Sequence, residues 1–256
     1  MGEGVTRLPE RVCLPPSVHA CLFDLDGVLT RTAEIHAAAW KQMFDAYLKE
    51  RTWHAGEALA PFDAVADYER FVDGRPRADG VGAFLESRAI VLPAGGADDP
   101  PSAETIYGLA NRKNDLLRGM IRERGVRAYE GSVRFVRAAL AGGLACAVVT
   151  SSENAEEVLM AADLGGLFDA QVDGRLIRER GLAGKPAPDA FLEAARVLGV
   201  PPVEAAVFED ALAGVQAGRA GGFGLVVGVD RTAGGPALVA AGADLVLQDL
   251  AELLSK

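Results

Sequence analysis

From Gly131 onward the chain repeats one pattern: a short apolar run, an amphipathic stretch with helical spacing, then another apolar run. The helical stretches are SVRFVRAALAGG, NAEEVLMAADLGG, PDAFLEAARVLG, ALAGVQAGRAGG and GGPALVAAGA, and the runs between them are LACAVVT, FDAQVD, AAVFED, FGLVVGV and DLVLQ. Runs of strand length with almost no polar alternation are buried on both faces, and a helix between each pair makes neighbouring strands parallel. HACLFD supplies one more such strand near the start. The fold class is therefore α/β: a Rossmann-like parallel sheet with helices on both faces. The segment from 31 to 127 interrupts the alternation with more charged, irregular sequence, and reads as an inserted, mostly helical cap domain. Residues 1–17 form an irregular lead-in, and 18–30 with 128–256 form the core. Within the cap, AEIHAAAWKQMFDAYLKE follows helical spacing behind Thr32 as N-cap, VLPAGGADDPP reads as a loop, and ETIYGLANRKNDLLRGMIRERG is helical.

The balance of residues narrows the functions open to such a fold. Half the residues are hydrophobic but only 6% are aromatic, so the core is built from Ala, Val and Leu. A net charge of -10 lacks the basic face that nucleic-acid or membrane-surface binding requires, although a few local cations suffice for a small anion. Three unclustered cysteines, Cys13, Cys21 and Cys146, make neither a disulfide framework nor a metal knuckle and point to a reducing compartment. The first twenty residues carry prolines and charges where a signal peptide needs an apolar run. The apolar run from Ala138 to Val149 falls short of the roughly 20 residues that span a bilayer. A cytoplasmic monomer with neither nucleic-acid nor membrane partner is the expectation.

Open parallel sheets bind ligands outside the carboxyl ends of their strands. Those ends here carry Asp24 and Asp26, then Thr150, Ser151 and Ser152, then Glu209 and Asp210, with Lys185 in the loop GKPAPD. Four carboxylates on one rim repel unless a cation lies among them, and an all-oxygen donor set suits a hard ion such as Mg2+. Thr150, Ser151 and the backbone N–H groups entering the helix at Asn154 can cradle phosphate oxygens, and Lys185 neutralises what charge remains. Such a site suits phosphoryl transfer, which needs positioning and charge neutralisation above all. One leading aspartate can attack phosphorus while the other passes protons, provided its surroundings raise its pKa.

FDLDGVLT, VVTSSEN, GKPAPD and VFEDALAGVQAG resemble, in order and spacing, the four motifs of the haloacid dehalogenase superfamily of phosphotransferases. The resemblance covers about residues 18 to 250. Within that superfamily TAEIHAAAW, DGRPRADGV and NRKND are most similar to the β-phosphoglucomutase family. The resemblance implies Asp24 as nucleophile and Asp26 as general acid/base. It implies a Mg2+ ion held by Asp24, the Asp26 carbonyl, Asp210 and Glu209. Thr150, Ser151 and Lys185 would hold the transferring phosphate. His36, Trp40, Gly74, Arg77 and Lys113 of the cap, with Ser152 and Asn154 of the core, would face the sugar and its second phosphate. The implied reaction converts β-D-glucose 1-phosphate to glucose 6-phosphate, with a bisphosphorylated sugar as activator and intermediate.

The chain also departs from the family pattern. Arg31 stands where an acid is common, Gly80 and Ala211 stand where Ser is expected, and the cap is longer. These differences bear on hinge behaviour and substrate fit. The core motifs serve a sugar-phosphate phosphatase equally well, since both enzymes pass through an aspartyl-phosphate. A non-catalytic metal- or phosphate-binding domain is a third reading, which the retention of Asp24, Asp26 and Lys185 disfavours. Plainer roles exist for several residues: His36 and Trp40 can simply pack at the cap–core seam, Arg75 and Arg112 can be solvated bystanders, and Arg31 can pair with a surface acid. His19 and His54 have no evident partner.

Overall fold

A computed structural model describes residues 10–55, with side chains to 51, together with 59–231 and 234–255; His54 thus lies outside the described side chains. The first strand, β1 (Ala20–Phe23), is buried along its length. Its odd and even positions enter different clusters. Cys21 and Phe23 join one and Ala20 and Leu22 the other, as period-two geometry requires of a strand covered on both faces. Five more strands follow: β2 (Ala145–Val149), β3 (Ala170–Val172), β4 (Ala205–Glu209), β5 (Leu225–Val229) and β6 (Leu245–Leu247). All pair in parallel, in the spatial order β3-β2-β1-β4-β5-β6.

The order places the switch point at β1, which has β2 on one side and β4 on the other. Phe23 aligns with Val148 and with Phe208, so the residues that follow each strand emerge along one carboxyl edge. The ring of Phe23 stacks on Phe208 at 4.8 Å and meets Phe135 edge-on at 6.1 Å, locking β1 to β4 beneath the site.

Helices cover both faces. The insertion contributes α1 (Ala33–Ala55), a π-helical turn (Tyr68–Val72), α2 (Arg77–Ser87) and α3 (Ile106–Arg124). After it come α4 (Glu130–Ala141), α5 (Ala155–Ala161), α6 (Gly174–Glu179), α7 (Asp189–Leu198), α8 (Leu212–Ala220) and α9 (Gly235–Ala241). The sheet cluster that holds Phe23 takes Phe135 and Val136 of α4 with Ala155 and Val158 of α5. The other takes Phe191 of α7, Val215 of α8 and Leu238 of α9. None of the described helices is long and apolar enough to cross a membrane.

α1, α2 and α3 enclose a third cluster of their own, in which Phe44, Phe62 and Phe84 meet at centroid distances of 4.1–5.1 Å. The ends of α1 and α3 nearest the sheet leave this cluster: Ile35, Ala39, Leu117 and Ile121 pack with the sheet. The hydroxyl of Thr105 caps α3 by accepting from the Gly108 N–H at 2.9 Å. The short α6 escapes an apolar-periodicity reading, yet Asp173 caps it by accepting from the Arg175 and Leu176 N–H groups.

Thr32 does not cap α1 as its position suggests. Its hydroxyl turns inward, donating to the half-buried Asp26 carboxylate, a charge-assisted bond, and lying 2.7 Å from the Thr30 hydroxyl. His19 does have a partner, Glu204, 2.9 Å away. Arg31 lies over the Tyr129 ring at 4.8 Å instead of pairing with an acid.

Candidate active site

Asp24 follows β1 directly and keeps its backbone in register, its N–H donating to Phe208 O at 2.9 Å. Its carboxylate accepts from Lys185 Nζ at 2.6 Å, and the same amine donates to Glu209 at 2.5 Å and to Val149 O at 3.3 Å. Burial opposes the Lys185 charge, but Asp24 and Glu209 outweigh it and hold the amine above the ordinary lysine value. Burial pushes Asp24 up more strongly than Lys185 pulls it down.

Glu209 sits deepest of these, with no exposed surface. Its second oxygen accepts from the Ala211 N–H at 2.9 Å. Both its oxygens are therefore engaged in this structure. It serves Lys185 first. Asp210 differs. Burial raises its pKa, with further push from Asp73 and Glu209, and among the described residues no side chain donates a hydrogen bond to it.

Asp24, Glu209 and Asp210 offer carboxylate oxygens within 4.8 Å of one another. A crowded, partly unpartnered set of hard oxygen donors fits a divalent cation such as Mg2+. Gly27 makes the crowding possible: its φ is +90°, and a Cβ there would fall 1.7 Å from Asp210 Oδ2. Arg231 fastens the same turn, donating to Gly27 O at 2.8 Å while its guanidinium lies 3.6 Å over the Tyr129 ring.

Asp73 joins the group from the cap and was not among the expected residues. It lines the cavity with Asp24, Asp26 and Asp210. Burial, and next Glu209, push its pKa up to about 7. Gly74, one residue on, packs against the core; a Cβ there would lie 3.0 Å from Ala211 Cβ, and its φ is +69°. Ser151 completes the contact by donating to Gly74 O at 2.8 Å. Ser151, expected to hold phosphate, thus ties the cap to the core in this structure.

The N–H groups expected to cradle phosphate also have partners. Ser152 N–H donates to Thr150 Oγ1 at 3.1 Å and Asn154 N–H to Ser152 Oγ at 3.2 Å. Asn154 reaches across the seam to Asn114 of α3 at 2.8 Å.

Asp26 faces the insertion. Thr32 donates to one of its oxygens, Thr150 Oγ1 lies 3.5 Å from the other, and His36 Nε2 stands 3.5 Å away. His36 Nε2 is buried with no hydrogen-bond partner, while its Nδ1 is 3.2 Å from Lys113 Nζ. Lys113 lies 4.7 Å over the Trp40 ring and is 4% exposed. Burial drives both bases down, His36 to about 4 with help from Lys113, and Lys113 to about 7. His36 is therefore neutral near pH 7 and Lys113 is poised there. Packing and function coincide: both residues lie at the seam, and both line the cavity.

Arg77, the first residue of α2, pairs with Glu153 at 2.9 Å and donates to Asn111 at 3.1 Å. It was expected to stand free for a phosphate. Arg112 is structural, bonded to Pro101 O at 2.8 Å. The space among these groups is about 60 Å³ for the centre of a water-sized sphere, on the order of four waters at ~10–15 Å³ each.

Four residues of this site escaped the sequence reading. Thr32 reads as a helix cap. Asp73, Asn114 and Glu153 lie inside the quoted stretches DGRPRADGV, NRKND and VVTSSEN but have no role in that reading. The one signal available was Glu153 itself, an acid beside residues expected to bind an anion.

Residues 18–222 match the family model for haloacid dehalogenase-like hydrolases. The chain is 56% identical over 246 residues to a β-phosphoglucomutase of Mycobacterium bovis, spanning 94% of this chain and 93% of that one. It is 33% identical over 236 residues to the β-phosphoglucomutase of Bacillus subtilis, spanning 91% of each. Among solved structures, a β-phosphoglucomutase from Clostridium difficile superposes with a TM-score of 0.70 over 92% of this chain and 93% of that one, at 24% identity.

Proposed function

Since this chain belongs to the haloacid dehalogenase-like hydrolase family, an enzyme family, we propose that it is a phosphosugar mutase that converts β-D-glucose 1-phosphate to glucose 6-phosphate. The observation that carries this reading is the meeting of two cap cations, Arg77 and Lys113, with Asp24 and Asp26 in one cavity. A phosphatase needs a grip only on the transferring phosphate, whereas a mutase must also hold a second one and keep water out.

In the forward reaction a phosphoryl group carried on Asp24 passes to the C6 hydroxyl of β-glucose 1-phosphate. The O–P bond to Asp24 breaks as the bond to O6 forms, and Asp26 takes the hydroxyl proton. The product, β-glucose 1,6-bisphosphate, turns around. Asp24 then attacks the phosphorus at C1, Asp26 returns the proton to O1, and glucose 6-phosphate leaves. Asp26 can serve because the Thr32 hydroxyl orients its carboxylate.

Lys185 steadies Asp24 for in-line attack, and Thr150 and Ser151 would take the transferring oxygens, Ser151 by exchanging its bond to Gly74 O for one to phosphate. Mg2+ bound by Asp24, Asp210 and the Asp26 carbonyl would neutralise charge on the transferring group. Arg77, Lys113, Ser152 and Asn154 take the distal phosphate, with His36, Trp40 and Gly74 lining the sugar's side. The test is incubation with Mg2+, β-glucose 1-phosphate and a trace of the bisphosphate. Glucose 6-phosphate should accumulate, with Asp24→Asn inactive; free phosphate in its place would make the enzyme a phosphatase.

A further inference from the structure

Arg77 is spoken for on two sides. Its Nη2 donates to Asn111 Oδ1 at 3.1 Å, and the Asn111 amide is itself fixed by Ala97 O at 2.9 Å and Asp99 O at 2.8 Å. Its Nη1 lies 2.9 Å from Glu153, and its Nε is buried without an acceptor. The pair is well enclosed, the side chains being 18% and 21% exposed. Glu153 has a second cation, Arg178 of α6, whose side chain is 46% exposed.

Glu153 directly follows Ser152 and lines the same cavity as Arg77. A phosphate arriving at Arg77 therefore meets a carboxylate already on the guanidinium. Two anions on one edge of an arginine repel, and the fork that suits a phosphate is the fork Glu153 half occupies. Arg178 offers Glu153 a place to retreat, at the solvent side.

We propose that Glu153 is a specificity-determining residue that competes with the substrate's distal phosphate for Arg77. Resting on the reading that Arg77 takes that phosphate, the competition has a direction. A ligand with a dianionic far end displaces Glu153 onto Arg178 and gains the arginine. A ligand whose far end is a neutral hydroxyl cannot, and leaves Arg77 with Glu153. The unpartnered Nε is the donor such a phosphate would gain in addition. Discrimination thus comes from the ion pair that must be broken as well as from the contact that forms.

The experiment is calorimetric titration of Asp24→Asn protein in Mg2+ with β-glucose 1,6-bisphosphate and, separately, unphosphorylated glucose. Adding Glu153→Gln should tighten the bisphosphate about fivefold, the scale of a modest ion pair, and leave glucose unchanged. Adding Arg178→Gln, on the exposed side, should do the reverse, because Glu153 then has only Arg77. A merely structural latch would weaken the bisphosphate in both variants, and that result overturns the proposal, as does no change in either. Arg77→Ala separates the two readings. If it leaves the bisphosphate preference intact, the distal-phosphate assignment itself is wrong. If it abolishes the preference while Glu153→Gln changes nothing, only the competition is refuted.

Discussion

Replacing Lys113 by Met should make the protein more stable and the enzyme worse. The amine is 4% exposed, and burial lowers its pKa from 10.5 to about 7. At 1.36 kcal/mol per pH unit the protonated form in the fold costs about 5 kcal/mol. Against this stand the contact with Trp40, worth ~1–2 kcal/mol when desolvated, and the hydrogen bond to His36, worth ~1 kcal/mol. The Lys113→Met variant keeps the stem and loses the charge, so it should gain about 2 kcal/mol at pH 6. The sign with pH follows from the lowered pKa. Below pH 7 lysine is protonated in both folded and unfolded chains, and the penalty is complete. From about 7 to 10.5 only the unfolded chain holds the proton, so wild-type stability rises by ~1.4 kcal/mol per pH unit. The advantage of the variant should therefore fall by about 3 kcal/mol between pH 6 and pH 9. Urea unfolding of both proteins at the two pH values measures it, and shared groups cancel in the difference. A variant less stable at pH 6, or an advantage independent of pH, would refute the desolvation argument. Loss of kcat/KM in the stabilised variant would mark Lys113 as a residue kept for function.

Two other substitutions test the acidic corner. Lys185→Met strands Asp24 and Glu209 in the interior without a cation. It should cost about 3–5 kcal/mol, the range for breaking a buried ion pair, in urea unfolding with EDTA present; a loss under 1 kcal/mol would show that the two acids share a proton instead. Asp73→Asn removes one carboxylate from the group beside Asp210. In EDTA it should raise Tm by a few degrees, on the order of 1 kcal/mol, and Mg2+ should then stabilise it less than it stabilises the wild type. An unchanged response to Mg2+ would place Asp73 outside the ion's reach.

The strands were legible because a parallel sheet covered on both faces leaves no room for polar positions, and Ala20–Phe23 and Ala205–Glu209 are buried throughout. Asp24, Asp26 and Asp210 were legible because each lies just past a strand end, where topology alone brings distant residues to one edge, and Lys185 through the loop GKPAPD. The rest depended on what meets across the seam. Thr32 obeys the local rule for a helix cap, but tertiary structure supplies a carboxylate, and the hydroxyl goes there. Lys113 reads as a substrate-facing residue, but its strongly charged stretch gives no sign that α3 buries it against Trp40. Asp73 and Glu153 matter through partners in the opposite unit, Asp210 for one and Arg77 for the other, and no spacing along the chain records either pairing.

The central place of β1 in the sheet carries a consequence for how the molecule comes into being. Ala20 pairs with Ala145 on one side and with Ala205 on the other, so the strand leading into the nucleophile is made long before either neighbour, β4 being the later of the two. At ~5–20 residues per second it waits roughly ten to forty seconds for β4. During that wait the insertion, with its own aromatic cluster, is already complete in the nascent chain and can condense beside an unpaired apolar ribbon. Asp24, Lys185 and Glu209 cannot assemble until Glu209 has been made. A chain cut short before residue 205 therefore carries the insertion above only half a sheet, β3-β2-β1, with Asp24 and Lys185 lacking their third partner.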